Sequence, residues 1–159
     1  MVFLLNNAKY VLDTNVFINM QRHHPLDVFG SLWTKIADVI DDGTVISCDE
    51  VLDELSIGND ALLQWANDRN GAFIPSGAEV QRIVREILQE YPTLVTGSRK
   101  SNNADPFVIA LAKKKGCTLV SDETWAGNGQ PVKIPNVCVS HGVRLIKFVE
   151  FLREVKISI

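Results

Sequence analysis

The sequence predicts a three-layer α/β/α protein in which helices cover both faces of a mainly parallel sheet of about five strands. Two observations indicate this fold class. Short apolar segments alternate along the chain with longer segments whose apolar residues recur every three or four positions, which is the pattern of successive βα units. The 159 residues contain no linker-like stretch and no internal repeat, so we expect a single domain spanning residues 1–159.

Five short segments are predicted as strands because they are apolar, rich in β-branched or aromatic residues and bounded by turn or capping residues. They are residues 10–12, 44–47, 72–75, 117–121 and 137–139. The segments that connect them carry helical patterns. Because a helical connection returns the chain to the same end of a sheet, we expect parallel pairing.

Seven segments are predicted as helices from their apolar spacing and their end signals. They are residues 14–20, 26–41, 47–56, 60–69, 77–88, 105–115 and 144–153. Capping boxes that start at Ser47 and Ser76 mark the beginnings of two of them. Pro106 in the first turn and Gly116 at the end frame a third. Segments 91–103 and 122–133 are predicted as loops.

Composition excludes several classes of protein. With 46% hydrophobic and 22% charged residues, the chain is globular rather than disordered, and no apolar run approaches the ~20 residues that span a bilayer. We therefore expect no membrane partner, and we expect the apolar N-terminal residues to lead into a first strand rather than form a signal peptide. Three cysteines without CxxC spacing favour reduced, buried thiols and a cytoplasmic location.

The net charge of −3 argues against nucleic-acid binding by bulk charge alone. Any such contact has to be local or assisted by a metal ion. Arg99 and Lys100, in the polar loop before Asp105, are the best candidates for phosphate contacts, together with Asn102 and Asn103. Trp125, in a glycine-containing loop, is either a base-stacking residue or an ordinary loop anchor.

Carboxylates follow several of the predicted strands, which is where ligands bind in open α/β sheets. Asp13 follows the first strand, and Asp122 and Glu123 follow the fourth. A cluster of carboxylates without Lys or Arg partners is costly unless a cation binds it. Oxygen ligands of this kind suit Mg²⁺ or Mn²⁺, and such an ion supports phosphoryl transfer with water as the nucleophile.

Two further acids could join this cluster from helices. On the predicted helix 47–56, Glu54 borders the apolar face, whereas Glu50 and Asp53 point away and are expected to be solvated. Asp105 precedes a helix, so it is suited to capping that helix, and capping leaves oxygen lone pairs for a metal ion. We therefore expect Asp13, Glu54 and Asp105 to converge within reach of one divalent cation.

The order of these motifs resembles that of PIN-domain ribonucleases over nearly the whole chain. The matching pieces are a strand ending in Asp13-Thr14-Asn15, an acid within residues 51–55, a helix start at 103–112 and a strand ending in Ser121-Asp122-Glu123. The segment 133–138 is similar to a bacterial and archaeal PIN-like subfamily of unknown function.

The resemblance implies an endoribonuclease that uses Mg²⁺ or Mn²⁺, often as the toxin of a type II toxin–antitoxin pair. Carried over by position, the metal-binding acids are Asp13, Glu54, Asp105 and a fourth, for which Glu123 is favoured over Asp122. Thr14, Asn15 and Ser121 would support the site by hydrogen bonding. The expected partners are an RNA substrate, a cognate antitoxin and a second copy of the chain in a homodimer.

Two other classes of function are compatible with the sequence. One is a PIN-like module that binds nucleic acid or protein without catalysis. The other is a haloacid-dehalogenase-like phosphatase, which is disfavoured because its second aspartate, two positions after the first, is replaced by Asn15. Cleavage of RNA with added metal would separate the nuclease from both alternatives.

Overall fold

The computed structural model describes residues 7–58, 60–95 and 103–159. Its centre is a five-stranded sheet in which every pairing is parallel and the spatial order is β3-β2-β1-β4-β5. The strands are β1 (Tyr10–Leu12), β2 (Val45–Cys48), β3 (Phe73–Ile74), β4 (Thr118–Val120) and β5 (Leu145–Ile146). The predicted fold class is therefore confirmed.

Eight helices surround this sheet within the described residues. They are α1 (Thr14–His23), α2 (Gly30–Asp41), α3 (Asp49–Leu55), α4 (Asp60–Asn67), α5 (Ala78–Glu90), α6 (Asp105–Lys115), α7 (Ile134–His141) and α8 (Phe148–Glu154). Helix α6 packs against β1, β2 and β4 and also contacts α5 and α7, while α1, α3 and α4 pack together. Because both faces are covered, the central strands are buried along their whole length and consist of apolar runs.

The strand order reverses between β1 and β4. Going outward from β1, the chain first adds β2 and β3 on one side, and it then returns to add β4 and β5 on the other. Leu12 pairs with Val120, so the carboxyl ends of β1 and β4 lie side by side. A crevice at this kind of switch point is where α/β sheets bind ligands, and the acids that follow both strands are placed there.

The prediction of a fifth strand at residues 137–139 is wrong. That segment lies inside α7, which has Pro135 in its first turn and ends at Gly142, whose φ of 67° is left-handed. The pattern of burial is that of a helix, because the neighbouring residues Val137 and Cys138 are both buried while Val139 is exposed. The fifth strand is β5, which had been predicted as the start of the last helix. A two-residue strand is too short for periodicity to reveal.

Both predicted capping boxes are also absent. The Ser47 side chain does not cap α3, because Ser47 lies in β2 and donates its hydroxyl hydrogen to the Leu12 carbonyl at 2.7 Å. Ser76 donates its hydroxyl hydrogen to the Glu50 carboxylate at 3.0 Å instead of capping α5. In both cases a tertiary partner competes successfully with the local one. Helix α2 begins at Gly30, four residues later than predicted, and α8 begins at Phe148.

The described part of the chain contains no helix that is both long enough and apolar enough to cross a membrane.

Candidate active site at the carboxyl edge of the sheet

Asp13 lies directly after β1, at the switch point, and both of its carboxylate oxygens are held. The Thr14 backbone N–H donates to Oδ1 at 2.7 Å, and the Ser121 hydroxyl donates to Oδ2 at 2.8 Å. Ser121 follows β4, so this second bond joins the ends of the two central strands. Asp13 and Ser121 are both buried. The side chain of Asp13 therefore has a fixed position at the base of the crevice.

Glu54 reaches the same place from α3. Its Oε1 accepts a hydrogen bond from the Thr14 hydroxyl at 2.6 Å, and its Oε2 accepts one from the Ala104 backbone N–H at 3.1 Å. Glu54 is only 8% exposed, whereas Asp53, one position earlier on the helix, is exposed. The prediction from the helical spacing, that Glu54 faces inward and Asp53 faces solvent, is thus confirmed. Glu50 departs from it in part, because it is half-buried against Ser76.

Asp105 approaches the cluster from the start of α6. It is the first residue of that helix and is 5% exposed. The prediction that its side chain caps α6 is wrong, because Ala104 occupies the capping position and no side chain closes the helix there. Burial raises the pKa of Asp105 well above its ordinary value, and the charges of Asp13, Glu123 and Glu54 raise it further.

The two adjacent acids after β4 point in different directions. Asp122 Oδ1 accepts a hydrogen bond from the Phe148 N–H at 3.0 Å, so this carboxylate faces the beginning of α8. Glu123 instead interacts electrostatically with Asp13, Asp105 and Glu54. Its Oε2 also accepts a hydrogen bond from the Ile134 N–H at 3.1 Å. Glu123 therefore contributes to the acidic cluster, and Asp122 does not.

Asn15 and Ser121 link the acids to the backbone. Asn15 Nδ2 donates to the Ser121 hydroxyl oxygen at 3.3 Å, and Asn15 Oδ1 accepts from the Asp122 N–H at 3.3 Å. The Ser121 hydroxyl oxygen also accepts from the Glu123 N–H at 3.2 Å. Thr14 contacts an acid directly through its hydroxyl, whereas Asn15 acts on the cluster only through Ser121 and the segment after β4.

The cluster carries negative charge that no described cation neutralises. None of the ion pairs among the described residues includes Asp13, Glu54, Asp105 or Glu123. Burial, followed by the charge of Glu123, raises the pKa of Asp13 to about 7, against the lowering effect of its hydrogen bonds. Burial also raises the pKa of Glu54, while the bonds from Thr14 and Ala104 lower it. The protein thus holds several carboxylates in a setting that opposes their ionisation.

The donor set fits a hard divalent cation. Four carboxylates with no cationic partner are oxygen ligands of the kind that Mg²⁺ and Mn²⁺ prefer. In residues 7–58, 60–95 and 103–159, however, no three His, Cys, Asp or Glu side chains are grouped closely enough to hold a metal ion. The convergence of Asp13, Glu54 and Asp105 on one cation therefore stays a prediction. Asp13, Glu54 and Glu123 accept hydrogen bonds from the Ser121 hydroxyl, the Thr14 hydroxyl and the Ile134 N–H, respectively.

Sequence reasoning missed three contributors to the site. The Ala104 N–H binds Glu54, and the Ile134 N–H at the start of α7 binds Glu123. Cys138 on α7 lies close enough to Asp13 and Glu123 that their charges, together with its burial, raise the pKa of its thiol to about 12. The misassignment of α7 as a strand concealed the last two. Nearly every residue has a backbone N–H, so the sequence does not indicate which of them contacts the site.

Of the other predicted residues, only some belong to the described part of the chain. Arg99, Lys100 and Asn102 lie outside the described residues, and Asn103 is exposed beside the Ala104 N–H that binds Glu54. Trp125 is exposed, which favours the base-stacking interpretation over that of a loop anchor.

Comparison with known proteins agrees with this architecture. No curated protein matches the chain. A similar solved structure is FitAcB from Neisseria gonorrhoeae, with 17% sequence identity and a TM-score of 0.50, over 86% of this chain and 96% of that one. This likeness supports a PIN-like fold. A family model described as "Domain of unknown function (DUF4411)" matches residues 10–159. The chain therefore belongs to the DUF4411 family, and its fold is PIN-like.

Proposed function

We propose that this protein is a metal-dependent endoribonuclease that cleaves RNA phosphodiester bonds with an activated water, and that it is the toxin of a type II toxin–antitoxin pair. The observation that carries the proposal is the set of four carboxylates, Asp13, Glu54, Asp105 and Glu123, at the switch point of a parallel sheet. They have no cationic partner among the described residues. Burying carboxylates close to one another is unfavourable in electrostatic free energy, and such groups are typical of a functional site.

Asp13, Glu54 and Asp105 would hold Mg²⁺ or Mn²⁺, and Glu123 would complete an outer or second position. When bound, the divalent ion supplies a water activated for attack and offsets negative charge on the phosphate. The hydroxyls of Ser121 and Thr14 orient Asp13 and Glu54 toward the crevice and favour their charged forms. Asn15 holds Ser121 in place.

RNA and protein partners follow from the same proposal. Arg99, Lys100, Asn102 and Asn103 would contact the phosphates that flank the cleaved bond. A cognate antitoxin and a homodimer belong to the proposal because the PIN resemblance implies them. The likeness to FitAcB concerns the fold, and the toxin assignment follows from the PIN resemblance of the sequence.

The central experiment compares cleavage of single-stranded RNA by the wild-type protein and by Asp13→Asn, with Mn²⁺ and then Mg²⁺. Asn keeps the shape of Asp and removes one ligand charge, so we expect the fold to persist and cleavage to fall by at least about 100-fold. Asp53→Asn is the matched control, since it removes an exposed acid from α3. Wild-type cleavage by Asp13→Asn would remove Asp13 from the site and contradict the proposal.

A binding module without catalysis is the second candidate. The observation that favours it is that the described acids are not grouped for a metal ion. A binding module predicts that RNA or a protein partner binds while no RNA is cleaved with any divalent ion. The same cleavage assay, followed by a binding assay with the uncleaved RNA, decides between the two.

A further inference from the structure

Trp125 is the exposed tryptophan of the described chain. Its side chain is 59% exposed, whereas Trp33 and Trp65 are buried and pack edge to face with ring centroids 4.9 Å apart. Exposing a large aromatic ring to water is unfavourable, and aromatic residues presented on loops often serve binding. Trp125 follows Glu123 by two residues, and both residues line one cavity.

The loop that carries Trp125 is anchored by other residues. Asn136 Oδ1 accepts hydrogen bonds from the Ala126 N–H at 3.3 Å and the Lys133 N–H at 3.1 Å. On the other side of Trp125, Glu123 Oε2 accepts the Ile134 N–H at 3.1 Å. The loop is thus tied to the start of α7 both before and after Trp125. The indole is not needed to hold the loop, and it is presented to solvent from a fixed backbone.

A cavity of about 340 Å³ lies next to the indole. Its lining includes Ser121 and Glu123 of the acidic site, Trp125, the apolar side chains of Pro135 and Ile146, and the oppositely charged Lys147 and Glu150. This volume is near the lower end of the range for ligand cavities, which suits one flat ring system better than a folded peptide segment. The cavity therefore combines aromatic and apolar side chains with one cation and two acids, and it shares Ser121 and Glu123 with the acidic site.

We propose that Trp125 and this cavity form a stacking subsite for one unpaired base of single-stranded RNA, next to the phosphate at the acidic cluster. This inference rests on the proposed function. Lys147 is the cation that lines the cavity, so it is the group available to a phosphate of the same strand. A base within a duplex is stacked on its neighbours and cannot enter, so the subsite selects single strands. Stacking accepts every base, so it confers little sequence specificity.

The test measures binding of a short single-stranded RNA to the full chain, with Ca²⁺ as the divalent ion and strand integrity checked on a gel. The variants are Trp125→Ala, Trp125→Phe and the control Val28→Ala, which alters an exposed apolar residue that does not line the cavity. Loss of one stacked base is worth about 1–3 kcal/mol, so Trp125→Ala should weaken the Kd by about 5- to 150-fold. Trp125→Phe should restore most of the affinity, and Val28→Ala should bind like the wild type.

Tryptophan fluorescence gives an independent readout, because Trp33 and Trp65 are buried and Trp125 faces solvent. Stacking predicts that RNA quenches the wild-type emission and protects it from acrylamide, and that Trp125→Ala loses both effects. A duplex of the same sequence should produce neither effect.

The outcomes separate this subsite from the nuclease proposal. If the wild type cleaves RNA but Trp125→Ala binds the single strand as tightly as the wild type, the subsite is overturned and the nuclease stands. If nothing is cleaved but Trp125→Ala still loses single-strand affinity, the subsite stands and the nuclease fails. Unchanged RNA binding together with lost binding of a protein partner would overturn the subsite in favour of a protein interface.

Discussion

The Thr14 hydroxyl donates a hydrogen bond to Glu54 Oε1 at 2.6 Å, and this contact joins the end of β1 to α3 across 40 residues of sequence. It brings a carboxylate from a short helix to the switch point beside Asp13. Without it, the donors left to Glu54 are the backbone N–H groups of Ala104 and Asn103.

Thr14→Val keeps the side-chain shape and removes this hydroxyl. Because the bond involves a buried carboxylate, we expect the free energy of unfolding to fall by about 1–3 kcal/mol and cleavage to weaken. Thr14→Ser, which retains the hydroxyl, is the matched variant and should stay close to the wild type. Urea unfolding and RNA cleavage measure the two effects. Equal behaviour of the Val and wild-type proteins in both assays would show that the contact is dispensable.

Stability without metal should fall as the pH rises. The folded protein raises the pKa of Asp13 to about 7, above the value of about 3.9 in an unfolded chain, and it raises the pKa of Asp105 too. Between these values the folded state binds more protons, so the free energy of unfolding decreases as the pH rises through the window from about 4 to 7 and beyond. Urea unfolding in EDTA at pH 5 and pH 8 measures this slope.

The variant Asp13→Asn/Asp105→Asn should flatten that slope and unfold at higher urea than the wild type at pH 8. At that pH each buried carboxyl either ionises against its desolvation or keeps a proton that the unfolded chain does not bind, and both are unfavourable to folding. Asp53→Asn should keep the wild-type slope, since Asp53 is exposed. A double variant with an undiminished slope would place the pH dependence elsewhere in the molecule.

Divalent ions should stabilise the fold through the same acids. A ligand that binds only the folded state at 100 times its Kd adds about 2.7 kcal/mol to the free energy of unfolding. We therefore expect Mg²⁺ or Mn²⁺ to raise the Tm of the wild type at pH 8, and Asp105→Asn to lose most of this increase while Asp53→Asn retains it. Calorimetric titration at matched ionic strength checks that the effect is binding rather than screening.

Glu123 and Asp122 should have separable roles. Glu123→Gln removes a charge from the cluster, so it should reduce metal stabilisation and RNA cleavage and leave the fold intact. Asp122→Ala removes the acceptor for the Phe148 N–H at the start of α8, so it should lower the free energy of unfolding by about 1 kcal/mol and spare metal binding. Thermal unfolding with and without Mn²⁺ distinguishes the two variants, and the reverse pattern would make Asp122 the fourth acid.

The sequence alone determined the parts of this protein that local periodicity encodes. The strands β1 to β4 are buried apolar runs, and their carboxyl ends place Asp13 and Glu123 at one edge of the sheet. The inward orientation of Glu54 follows from the 100° rotation per residue of a helix, applied to the apolar residues around it. These inferences succeed because they depend on spacing within one element.

Only the tertiary structure decided where short segments with ambiguous patterns belong. Residues 137–139 are β-branched enough for a strand, but β5 forms at Leu145–Ile146 because those two residues pair with Leu119 and Val120. The different directions of Asp122 and Glu123 are set by the N–H groups that begin α8 and α7. The loop that carries the exposed Trp125 is likewise tied to α7 by Asn136. Each outcome depends on a partner distant in sequence, which no local pattern encodes.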